Sequence, residues 1–340
     1  MVNLISYKQI PLFVFVFFLL NQNTIINSEE SVENARRFQT PFELVVQSGH
    51  NAFIFCTTIS NDGELFASSS YKNIKIWDST NGTLIRTIFG HDNYINSLSF
   101  SPLKKIIASA CEDKTIKLWN IFSGKLLRTL KGHNNKIISI SFSPNGRYIV
   151  SASLDDTMKI WDVYSGQVIK TFITNLSNIN LVAYSPDGNF IACSSTKNVI
   201  KIWSLKKGLL FRSFRGSSFA FMPDSKYICC INSKRVVMYE ISSGRIEKFY
   251  PGNKAFTAIS ISVSGKYLAC ALSDATMRLI EIQTGIIVSK VAIHSQIINF
   301  ISFFPNTHNI LSSSFSEINV WDFKMEKLKY SLNNNTYNIN

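Results

Sequence analysis

From residue 132 to residue 172 the chain alternates short apolar runs with turn signals. The runs are 137–143 (IISISFS), 148–153 (YIVSAS), 158–163 (MKIWDV) and 168–172 (VIKTF). The first ends at Ser143, Pro144, Asn145 and Gly146, where proline fixes φ and glycine supplies a positive φ. The second ends at Leu154, Asp155 and Asp156, and the third at Tyr164, Ser165 and Gly166. Four such runs joined by short turns predict a four-stranded antiparallel meander.

The unit recurs along the chain. Its Trp-Asp position appears as Trp77-Asp78, Trp119-Asn120, Trp161-Asp162, Trp203-Ser204, Tyr239-Glu240, Ile280-Glu281 and Trp321-Asp322. The intervals are 42, 42, 42, 36, 41 and 41 residues. A glycine follows five residues later at Gly82, Gly124, Gly166, Gly208, Gly244 and Gly285. A fixed period in this range marks an array of like supersecondary units.

These residues resemble the WD-repeat family of β-propellers over about residues 41–334. The resemblance implies an all-β fold: a seven-bladed β-propeller with four antiparallel strands per blade. It also implies closure by an N-terminal strand, which removes open sheet edges. Residues 42–47 (FELVVQ) precede Ser48-Gly49-His50 as an outer strand precedes Gly90-His91 and Gly132-His133, so they are expected to complete the last blade. Residues 327–332 (KLKYSL) compete for that place and are expected to flank it or fray. The remaining divisions are a signal-like or anchor segment at 1–28, a linker at 29–40 and a tail at 335–340.

The second and third units are complete in the family's terms, with His91, Ser109, Asp113 and Trp119, then His133, Ser151, Asp155 and Trp161. The resemblance implies that each set forms a buried hydrogen-bonded chain. The first unit has Tyr71 where an acid is expected, and the seventh has Phe315 there. The fourth has Lys197 at that place and lacks Gly-His; the sixth has Gly252 for the histidine and Ile280 for the tryptophan. The fifth is short at its start. Blades five and six are therefore expected to be the softest.

Charge and cysteines refine this picture. The net charge is +13, and the first 40 residues hold three basic and three acidic side chains, so the excess lies in the repeats. Cys111, Cys193, Cys229, Cys230 and Cys270 fall in second strands of different units, too far apart for the Cα limit of roughly 7 Å on a disulfide. They read as small buried residues with free thiols. Residues 10–20 (IPLFVFVFFLL) are too short for a helix crossing a bilayer, which takes about 20 residues, but suit the core of a signal peptide. Such a segment would make the protein exported, or membrane-held if uncleaved; otherwise it is cytoplasmic or organellar. Sequons at Asn81, Asn175 and Asn334 matter only along a eukaryotic secretory route.

For function, no metal-ligand cluster, phosphate loop or paired carboxylates stand out, and no cofactor is expected. The His-Ser-Asp sets could be read as catalytic triads, but their duplication beside a tryptophan marks a structural element. Members of the family commonly bind proteins through the face made by the loops leading into each first strand. By register that face holds Phe53, Phe55, Tyr94, Asn96, Glu112, Lys136, Asn178, Arg215 and Asn232. Exposed aromatics and arginines are suited to carry interface energy. Protein partners are thus expected, on a chain that is not an enzyme. A second class is binding of nucleic acid or an anionic surface, by a rim of Arg86, Arg128, Lys170, Arg212 and Lys248. A remote third is an exported propeller enzyme working over the central channel.

Overall fold

The computed structural model describes residues 50–333 apart from 51, 104, 293, 306 and 325. The third unit folds as its pattern predicts. Tyr148–Ser153 lies between Ile137–Phe142 and Thr157–Asp162, with Val168–Ile173 outermost. Ile149 faces Phe142 on one side and Trp161 on the other. Six more four-stranded antiparallel sheets repeat this order, and the described residues contain no helix. The blades span 54–89, 95–131, 137–173, 179–215, 218–251, 256–292 and 300–333.

Apolar side chains on both faces of each second and third strand fill the seams between blades. Trp161 packs with Ala108, Ala110, Ile116, Leu118 and Leu130 of the second blade. Burying so large a ring dominates the energetics of a seam. Seven such clusters occur, each joining two consecutive blades, and the last joins blade seven to blade one. In that one Ile54, Phe66 and Trp77 meet Phe304, Leu311, Ile318 and Val320. The ring is closed by that packing and by the Ile54 N–H donating to the Phe315 carbonyl at 2.9 Å.

The seam corrects one expectation. The outermost place of the seventh sheet is taken by Lys327–Asn333, paired in register with Glu317–Asp322 from Glu317↔Asn333 to Asp322↔Lys327. Residues 42–47, expected there, lie outside the described residues, as does the 10–20 run. The Tyr330 hydroxyl donates to the Ser79 carbonyl at 2.8 Å, and its ring lies against Gly82 of the first blade. Tyr330 stands nine residues after Trp321, where blades one to five carry a cation.

Turn length explains the acids missing from blades one and seven. Blades two, three, four and six join their second and third strands through three residues, the last with positive φ: Lys114, Asp156, Asn198 and Ala275. Blades one and five use two residues, as the pairs Ser70↔Asn73 and Asn232↔Arg235 require. Blade seven likewise ties Ser314 to Glu317 across Phe315 and Ser316. Tyr71 and Phe315 therefore do not stand in an acid's slot; the shorter turn removes the slot.

The described cysteines are all free. Cys229 and Cys230 point into different seams.

Candidate functional site

The two complete blades hold the expected chain. In the second, His91 Nδ1 lies 2.8 Å from Asp113 Oδ2 and Nε2 lies 2.7 Å from Ser109 Oγ. The Trp119 indole N–H donates to that same Oγ at 2.8 Å. The third blade repeats these contacts among His133, Asp155, Ser151 and Trp161 at 2.8, 2.7 and 2.8 Å. A carboxylate only accepts, so Nδ1 carries the proton and Nε2 takes one from serine. Burial works against the charge on Asp113, yet hydrogen bonds from His91 and Thr115 hold its carboxyl well below the usual range. Burial pushes His133 down, opposed by Asp155. In the third blade the pair is a neutral imidazole donating to a carboxylate.

These are the distances of a hydrolase triad, and burial decides against that reading. Ser109 and Ser151 are 0% exposed, and each oxygen is already engaged by histidine and indole. No substrate carbonyl has room to approach within the roughly 3 Å that attack requires. Cys111 brings a third ligand type within 4.8 Å of His91 and Asp113. Both His91 nitrogens are occupied, however, and burial pushes the thiol up to about 12. A metal would have to displace the bonds that hold the blade.

Blades one and seven keep part of the chain. His50 Nε2 and Trp77 Nε1 meet at Ser68 Oγ, at 2.6 and 2.8 Å. Burial, then the Lys75 charge, pushes His50 down to about 3. In blade seven His294 Nε2 reaches Ser312 at 2.8 Å, and Glu317 stands in for the lost acid, 3.4 Å from Nδ1. Glu317 opens its strand, where blades two and three carry threonine; its Oε1 accepts from the Ser295 N–H at 2.8 Å, which leaves His294 Nδ1 with the ion-pair contact alone. A search for acids in the turn misses it; a search one strand position later finds it.

On the face above these chains, aromatic side chains gather over blades seven, one and two. Phe53 is 62% exposed and meets Phe315 edge to face at 5.9 Å. Phe55 meets Tyr94 at 5.1 Å, and Tyr94 meets Tyr71 at 4.8 Å. The Lys72 amine sits 5.1 Å from the Tyr71 ring. Phe53, Phe55 and Tyr94 were expected here; Tyr71 and Phe315 were missed because each was read as a failed acid. Glu112 and Lys136 also come together, in an ion pair of 2.7 Å between blades two and three. Asn96 is committed to structure, since its amide donates to the Ile137 carbonyl at 2.9 Å. Asn178, Arg215 and Asn232 lie on blades four and five and do not join the aromatic group. Asn178 takes a positive φ of 55, and Arg215 is exposed at the end of its strand.

Three cations of the basic rim reach across to the next blade. Arg128 Nη1 donates to the Ser165 carbonyl at 3.2 Å, Arg212 Nη2 to Ser242 at 2.6 Å, and Lys248 Nζ to Ile282 at 3.2 Å. Each carbonyl belongs to the next blade's last turn. Gly166 shows why glycine recurs there: its φ is +75, and a Cβ would meet Arg128 Cδ at 2.8 Å. The cations hold neighbouring blades together.

Comparison with known proteins agrees with this architecture. Residues 53–217 match the family model of the IFT122 first beta-propeller. The chain is similar to the nuclear distribution protein PAC1 of Coccidioides posadasii, 50% identical over 56 residues, 16% of this chain and 12% of that protein. It is similar to PAC1 of Tuber melanosporum, 43% identical over 56 residues with the same shares, 16% and 12%. PAC1 of Meyerozyma guilliermondii is 36% identical over 84 residues, 24% of this chain and 15% of that one. The matches thus span a small part of each relative's length. With seven like-built sheets, the repeated Trp-Asp position and the histidine-serine-indole chains within blades one, two and three, these matches support a WD-repeat β-propeller family, with no particular member singled out.

Proposed function

We propose that the ring is a non-catalytic platform that holds protein partners on the face made by its lead-in loops and second-to-third strand turns. The carrying observation is the aromatic group of exposed Phe53, Tyr71, Tyr94 and Phe315 with half-buried Phe55. Large aromatics left in water beside one another mark interaction surfaces. Their rings are held by a rigid scaffold, so docking loses little side-chain freedom. The similarity to WD-repeat propellers supports the same class of function. The enzyme reading finds no accessible nucleophile among the two triad-like sets, and three of the five rim cations donate to carbonyls of the next blade.

The test is partner capture from native extract by the full chain and by its Phe53→Ala/Tyr94→Ala/Arg215→Ala variant. The expected result is loss of the captured proteins by a variant with an unchanged melting profile. Undiminished capture refutes the assignment of this face.

A further inference from the structure

A cleft of about 480 Å³ opens on blade two, lined by its second-to-third strand turn, its two outer strands and the lead-ins at Asp92 and Gly132-His133. Its wall carries Lys114, Lys117 and Lys131, the hydroxyls of Thr115 and Thr129, and the acids Asp92 and Asp113. Asp113 is already committed to His91 and Thr115, with the Lys117 amine 4.0 Å away. Lys117 in turn donates to the Gly90 carbonyl. Lys114 and Lys131 are exposed, and neither has an ion-pair partner among the described residues. The cleft therefore presents two uncommitted amines against one exposed carboxylate, Asp92.

Repetition supplies the control. Forty-two residues on, in blade three, the places of Lys114 and Lys131 are taken by Asp156 and Ile173. Forty-two residues back, in blade one, they are Lys72 and Phe89. Of these three blades, only the second carries lysine at both places. Lys114 also holds its turn at a φ of 67, a conformation that disfavours a side chain. That turn is tied to the aromatic group, since the Glu112 N–H donates to the Tyr94 carbonyl at 2.9 Å.

We propose that this cleft binds an anionic side chain, phosphorylated or carboxylate, of a peptide whose neighbouring apolar side chain rests on Tyr94 and Tyr71. The inference rests on the platform reading and names the chemistry of the partner. Two amines and the Thr129 hydroxyl offer donors to an oxyanion, and charge-assisted bonds are the strong ones. The aromatic rings beside them supply the apolar anchor.

The experiment titrates the full chain by calorimetry with acetyl-Phe-Gly-Ser-Gly-amide in three forms, carrying serine, phosphoserine or glutamate at the third position. Expected is binding of the charged forms about tenfold or more tighter than the serine form. The preference shrinks as salt rises and is lost in the Lys114→Ala/Lys131→Ala variant. Phosphoserine ahead of glutamate assigns the site to phosphate; equal binding assigns it to carboxylates generally. Equal affinity for all three forms, or a preference that survives in the lysine variant, overturns the proposal. The lysine variant is also put through partner capture. If it captures as the native chain does while the Phe53→Ala/Tyr94→Ala/Arg215→Ala variant does not, the cleft assignment falls and the platform stands.

Discussion

Blades two and three fill the slot beneath their lead-in loops with one polar set; blades four to six fill the same slot by other means. Where Ser109 and Ser151 sit in the first pair, the later blades carry Cys193, Cys230 and Cys270. No histidine leads into these blades. Leu176 packs beside Cys193 in blade four, and in blade six a buried Arg278 reaches Asn253. Once the histidine is gone, a buried serine hydroxyl there would lose its acceptor, a cost of about 1–3 kcal/mol. A thiol is nearly apolar and avoids it. Burial pushes Cys193 up to about 12 and Cys230 well above its ordinary value, so neither is a ready nucleophile. The difference teaches that in this ring the serine is kept where the histidine is kept, as in blade one, which has lost only the acid, and is replaced by cysteine where the histidine is lost.

The comparison can be broken in three ways. The largest effect is expected from Trp161→Ala, which removes an indole 1% exposed and should cost roughly 3–5 kcal/mol in a denaturant titration. The matching change at Tyr239, which is half-buried, should cost less. Equal costs would mean that the seams do not differ.

Acid should separate the two groups next. His50, His133 and His294 are buried and hold depressed proton affinity, so the unfolded chain binds more protons than the folded one below pH of about 6.5. Their contribution is fully present above that value and is lost as pH falls, for His50 down to about 3. Asp113 and Asp155, held low, lose theirs only below the ordinary carboxylate range near 4. All five lie in blades seven, one, two and three. Hydrogen exchange, corrected for intrinsic rates, should find blades five and six least protected near neutral pH. Blades seven to three should loosen on acidification. Uniform protection, or acid loosening centred on blades four to six, contradicts the comparison.

The smallest effect concerns the acids. Asp155→Asn should cost about 1–3 kcal/mol by weakening a buried acceptor. Asp274→Asn, in an exposed turn with no histidine to hold, should stay within about 0.5 kcal/mol. Thermal melts of the two variants side by side decide it.

Much of this was legible in the chain. The Trp-Asp spacing fixed seven units, and the 3.6-residue period of a helix was absent. The sets at His91 and His133 named their own partners because every member lies within one blade. What escaped was either one residue long or remote in sequence. A turn shortened by one residue moved Tyr71 and Phe315 out of the acid's slot and onto the surface. Glu317 reaches His294 from a strand position where pattern reading expects threonine. Lys327–Asn333 won the outer place of blade seven, where 42–47 was expected, through pairing with its immediate neighbour, and a short connection favours that. The aromatic group joins residues from three blades, and no local window contains it.

Arg128 lying over Gly166 carries a wider lesson about electrostatics in modular proteins. Copying a module copies the cation that mortars it to the next, so charge accumulates with blade number. Much of this molecule's alkaline isoelectric point is then a by-product of its masonry, and bulk charge is a poor guide to what such a wheel holds.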